Sequence, residues 1–135
     1  DLQHLAEEMV KYLEYPANIA ASYCQNATLE ATGDIAITGS PAYGSDLVAG
    51  GSIEIAGDCR CGTYQAKQTI RVGTAGSKGI GKTYFSVPEG GTITAKQFYP
   101  GVRLKIGSDL RVINSMWYDH TFRELDSLSA EAANG

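Results

Sequence analysis

The stretch 29-LEATGDIAITG-39, followed by 47-LVAGGSIEIAG-57 and 64-YQAKQTIRVGTAG-76, decides the fold. Within each segment apolar residues alternate with polar ones, the period of a half-buried strand. The segments also repeat in register. Leu47 follows Leu29, and Tyr64 follows Leu47, at nearly the same step. Ala31, Ala49 and Ala66 keep that step, as do Ile35, Ile53 and Ile70. A repeat this short, with two short strands per copy, is one coil of a solenoid. A single coil is too thin to bury its own apolar side, so the coils must stack. Leu29, Leu47 and Tyr64 are expected to form one inner ladder, and Ile35, Ile53 and Ile70 another. Small alanines between them fit a narrow interior, and the recurring glycines fit the corners.

Working outward, Ile93, Ala95, Val102, Leu104 and Ile106 read as a fourth copy, with a bulge at 97–101. The step from Tyr64 to Ile93 is much longer than the earlier ones, so insertions are expected between about residues 73 and 92. Upstream the period changes. Leu2, Leu5, Ala6, Met9, Val10 and Leu13 fall at three- and four-residue steps and predict a helix over 1–15, stopped at Tyr15-Pro16. Downstream, Trp117, Tyr118 and Phe122 predict a short helix or cap over the end of the solenoid, and 124–135 reads as a frayed tail. The expected architecture is therefore mainly β. It is a single-stranded parallel β-helix over 16–123, with an N-terminal helix and a short C-terminal cap. A β-sandwich is the competing arrangement, but register-preserving repeats of this length favour the solenoid.

Composition agrees. Glycine is 16 of 135 residues, nearly 12%, against about 7% in an average protein. Proline is only four, which excludes collagen and proline-rich linkers. No apolar run is long enough to predict a membrane helix. The start at Asp1 predicts a fragment of a longer protein, and no leader pattern precedes the helix. Three sparse cysteines argue against a disulfide framework and predict a reducing, cytoplasmic setting.

The net charge of −4 conceals a segregation. Residues 1–59 hold nine acids and one base, whereas 60–105 hold eight bases and one acid. If Ile70 and Val72 point inward, Arg71 points out, and Arg103 and Lys105 likewise flank inward Leu104. Glu30 and Glu54 take outward sites in the earlier coils. The solenoid is thus expected to be acidic toward its first coils and basic toward its last. Such poles suit docking between copies or onto a protein partner. The alternative is an anion- or nucleic-acid-binding module using Arg71, Lys78, Lys82, Arg103 and Lys105.

The order of 31-ATGDIAITG-39, 49-AGGSIEIAG-57, 66-AKQTIRVGTAGS-77 and 99-YPGVRLKIG-107 resembles the polymer-forming region of the bacterial FapA (flagellar assembly protein A) family. The resemblance spans roughly residues 1–123. It implies a right-handed parallel β-helix with a scaffolding or assembly role, and it brings no catalytic motif. Bactofilins share the style of repeat but lack the Tyr-Pro-Gly closing element. The resulting expectation is a non-enzymatic scaffold acting through self-association or protein partners, without cofactor or metal.

Several motifs compete with that reading. Gly76–Thr83 satisfies GxxxxGK[ST] letter for letter. A phosphate-binding loop needs a helix after it, and 84-YFSVPEGG-91 predicts none. Cys24, Cys59 and Cys61 lack zinc spacing. Asp34, Asp46 and Asp58 are evenly spaced, but their step is shorter than the coil, so they cannot stack as a calcium ladder. Asp119-His120 has neither a positioned nucleophile nor an oxyanion hole.

Overall fold

A computed structural model of the chain describes residues 17–78 and 81–123. All its regular structure is strand, and five coils stack in parallel. The first comprises β1 (Ile19–Ala21), β2 (Cys24–Gln25) and β3 (Thr28–Ala31). The second comprises β4 (Ile35–Ile37) and β5 (Ala42–Ala49), and the third is the single bent strand β6 (Ile53–Ala66). The fourth is β7 (Thr69–Ala75) with β8 (Thr83–Val87), and the fifth is β9 (Thr92–Phe98) with β10 (Arg103–Ile106). Two further strands, β11 (Asp109–Val112) and β12 (Trp117–Phe122), run antiparallel on β10 and β9.

The expected ladders are present. Ile35 pairs with Ile53 and Ile53 with Ile70. Leu29 pairs with Leu47 and Leu47 with Tyr64. All but the terminal Leu29 are buried. Alternation explains why: successive side chains on a strand leave on opposite faces, so the apolar set points inward in every coil.

Three features differ from the expectation. Each coil has three faces, not two strands. Face A holds β1, β4 and the starts of β6, β7 and β9. Face B holds a short row, Cys24, Ala42, Cys59, Ala75 and Phe98, paired coil to coil. Face C holds β3, the end of β5, the end of β6, β8 and β10. The fourth copy also sits elsewhere. Ile93 pairs with Ile70 and does not stand above Tyr64. The residue above Tyr64 is Phe85, which in turn pairs with Leu104. The inserted residues are the loop between β7 and β8, while Gln97 and Phe98 continue strand β9 instead of bulging. Finally, the cap is a strand and not a helix. Residues Trp117–Phe122 zip onto β9, and their aromatic and β-branched composition suits that geometry. The helix expected over 1–15 and the tail over 124–135 lie outside the described residues.

The corner between faces B and C repeats a backbone device. Asn26, Gly44 and Cys61 occupy equivalent places in the first three coils, and all have positive φ (50°, 59° and 54°). That region turns the chain sharply, and asparagine and glycine enter it most readily. Between faces C and A, side chains of one coil hold the backbone of the next. Asn18 Oδ1 accepts the Asp34 amide at 2.7 Å, and Asp34 Oδ1 accepts the Ser52 amide at 2.7 Å. Asp34 is therefore a corner clamp, a role its spacing from Asp46 and Asp58 does not suggest.

Side chains of β11 and β12 pack together at the far end. Phe122 packs edge-on to Phe98 with ring centroids 5.0 Å apart. Arg111 Nε donates to Asp109 Oδ2 at 2.9 Å, and its guanidinium lies over the Phe122 ring. Nearer the middle, the Tyr64 hydroxyl donates to the Cys61 carbonyl at 2.7 Å.

Burial pushes both the Cys59 thiol and the Tyr64 phenol well above their ordinary values of 9.0 and 10.0. Both stay protonated in the folded chain while the unfolded chain ionises. Their contribution to stability is thus complete below about pH 9 and is lost as pH rises further. Urea unfolding across pH 8–11 is expected to show stability falling above pH 9, with a limiting slope of about 1.4 kcal/mol per pH unit for each group. Tyr64→Phe should reduce that slope. An identical slope in the variant would refute the assignment.

Candidate interaction surface

Alternation that buries the ladders also sorts the charges into outward rows. One row on face C runs Glu30, Val48, Gln65, Ser86 and Lys105 from the first coil to the fifth. Its neighbour runs Thr28, Asp46, Thr63, Tyr84 and Arg103. Each row carries its acid in the first two coils and its base in the fifth. Parallel strands lie about 4.8 Å apart, so Glu30 and Lys105 are separated by roughly 19 Å along the axis. On face A, Glu54 of the third coil sits directly below Arg71 of the fourth.

The five residues singled out in the sequence do not form one cluster. Arg103 and Lys105 share face C, on either side of inward Leu104. Lys78 and Lys82 lie on the loop that enters face C in the fourth coil. Arg71 is on face A, across a corner from the others and beside Glu54. A single anion site built from all five is not what the fold assembles.

The loop that matches the phosphate-binding pattern enters a strand. Thr83 opens β8, and its hydroxyl accepts the Cys61 amide at 2.8 Å. That oxygen, which a phosphate-binding loop would present to magnesium, is buried in coil-to-coil bonding. Among the described residues no three histidines, cysteines or carboxylates stand close enough to hold a metal ion. The cysteines form no disulfide, and Cys24 and Cys59 are interior residues of the face B row. No helix among the described residues is long and apolar enough to cross a membrane.

Two features have no clear signature in the sequence. One is a groove of about 720 Å³ along the edge of face C, spanning all five coils from Glu30 to Lys105. Gly50, Lys67, Pro88 and Gly107 line it where each coil leaves face C. The other is a set of exposed apolar side chains on the last layer: Leu110 and Val112 on β11, and Trp117 and Tyr118 on β12. Both ends of the sheet present strand edges to which no described strand pairs, β1, β2 and β3 at one end and β11 and β12 at the other. Such edges are templates for pairing with another chain.

Comparison of the chain with protein-family models, with curated proteins and with solved structures gives no match.

Proposed function

We propose that this chain is a non-enzymatic scaffold module that works by assembly, stacking on further copies of itself or on protein partners. The observation that supports it is the axial polarity of face C, with Glu30 and Asp46 on the first two coils and Arg103 and Lys105 on the fifth. Head-to-tail stacking brings opposite charges together, whereas head-to-head contact opposes like charges. A heterologous contact repeated along the coil axis adds each copy above the last, so it builds a filament and not a closed ring. The strand edges and apolar side chains of the last layer add the directional and hydrophobic parts of such a contact.

The resemblance to the FapA family supports a finer version: a right-handed β-helix, part of a longer cytoplasmic bacterial protein, serving flagellar assembly. The anion- or nucleic-acid-binding alternative rests on the approach of Arg103 and Lys105 on face C. It is weakened by the separation of Arg71 from them.

Light scattering across concentration tests the assembly reading. At low salt the mean mass is expected to climb continuously with protein concentration. At about 0.5 M salt, where surface charges are screened within roughly 4–5 Å, it should fall back toward that of one chain. A mass equal to one chain at every concentration and salt would refute it.

A further inference from the structure

The groove along face C differs from the ends of the stack, and its chemistry is specific. Its exposed floor is formed by Val48, Gln65 and Ser86, with the buried Ala49, Ala66 and Val87 behind it. Its charges are placed in order: Glu30 at the first coil, Lys67 at the third, Lys105 at the fifth. None of the three makes an ion pair among the described residues. We propose that this groove binds an extended peptide of a protein partner, with a basic residue at Glu30 and carboxylates at Lys67 and Lys105. This rests on the reading of the chain as an interaction module.

The size and spacing lead to that ligand. A volume near 720 Å³ lies within the range of sites that enclose a small ligand. Along the solenoid axis Lys67 stands two strand spacings from Glu30, roughly 10 Å, and Lys105 four, roughly 19 Å. An extended peptide rises about 3.3 Å per residue. The matching pattern is therefore a basic residue, then an acid about three positions later, then another about six positions later. Polypeptides carry both signs of charge at set intervals. Nucleic acids and acidic glycans carry only negative charge, which Glu30 repels. No aromatic side chain lines the groove, so it offers no platform for stacking bases. Apolar contact with the exposed Val48 supplies the non-ionic part.

The test uses the whole chain at a concentration where light scattering reads single molecules, so that it does not depend on self-assembly. The probe is a fluorescein-labelled heptapeptide, Lys-Val-Ser-Glu-Val-Ser-Glu, followed by fluorescence anisotropy. Saturable binding is expected, weakened about fivefold or more by Lys67→Glu, a charge on the middle coil that takes no part in end-to-end contact. Val48→Arg, an exposed position whose substitution leaves the core intact, should abolish it by filling the floor. A peptide with glutamate in place of its lysine should bind more weakly. Tighter binding of that all-acidic peptide would overturn the proposal in favour of a general anion surface. Failure of the first peptide to bind folded protein, checked by unchanged circular dichroism, would overturn it outright. Loss of stacking with peptide binding retained would instead count against the assembly reading alone.

Discussion

Replacing Phe85 by alanine is expected to lower the unfolding free energy by about 3–5 kcal/mol, a large part of the roughly 5–15 kcal/mol typical of a domain. Phe85 is completely buried. Its ring lies 5.5 Å from that of Tyr64 in the coil below, and its backbone pairs with Leu104 in the coil above. It therefore fills the interior on face C of the fourth coil, just after the loop between β7 and β8, where the repeat is longest. Truncation removes apolar contact with two coils at once, and a stacked backbone held by hydrogen bonds on three faces cannot collapse into the space. Urea denaturation measures the effect. A loss under about 1 kcal/mol would place Phe85 outside the ladder.

The second large effect is expected at Gly62. Its φ of +106° lies where side chains are strained, and a Cβ there would stand 2.1 Å from the Ser45 carbonyl oxygen of the coil below. The Gly62 amide simultaneously donates to the Lys82 carbonyl of the coil above at 2.9 Å. Alanine cannot relieve the contact without prising two coils apart. Gly90 is the matched control. Its φ is +86°, but nothing lies within 4 Å of a Cβ built there. Gly90→Ala should cost only the conformational penalty, about 1–2 kcal/mol. Gly62→Ala should exceed it by at least about 2 kcal/mol, or prevent folding. Equal costs in thermal or urea melts would mean that the coils are not packed this closely at that corner.

Much of this fold is legible in the residues, for a definite reason. Alternation and register together leave few arrangements for Ile35, Ile53 and Ile70, because shifting one coil by a single residue would expose its apolar set. The illegible parts have reasons too. Face B is very short in each coil, and its inward residues, Cys24, Ala42, Cys59, Ala75 and Phe98, share no single chemistry. Neither alternation nor identity marks them. Phe85 is hard to place because the ladder below it changes from leucine to aromatic at Tyr64. Ala95 then matches Ala66 in type while belonging to face A. The first coil is obscured at its start. Ile19 and Ala21 precede Ile35 and Ile37 by a shorter step than the later coils keep, and the corner before Ile19 holds Ala17 and Asn18 where the next coil has Gly33 and Asp34.

The surface divides in a similar way. The outward positions of Arg71, Arg103 and Lys105 follow from the inward neighbours, and the structure places them so. Their separation on two faces does not follow from one strand at a time, because it depends on where the chain turns between strands. The groove is lined by residues of different coils, a juxtaposition that no linear spacing records.

The central claim, that the charge polarity of the stacked coils drives head-to-tail assembly, is tested most directly by a charge-swap mixing experiment. One variant carries Arg103→Glu and Lys105→Glu, and the other carries Glu30→Lys and Asp46→Lys. On face C each alone carries one sign of charge in both the first two coils and the fifth, and is expected to stay a single chain. Mixed in equal amounts, they should co-assemble, with a mean mass by light scattering that rises with concentration as for the unsubstituted chain. Assembly of either variant alone, or a mixture that remains monomeric while the unsubstituted chain assembles, would contradict the account.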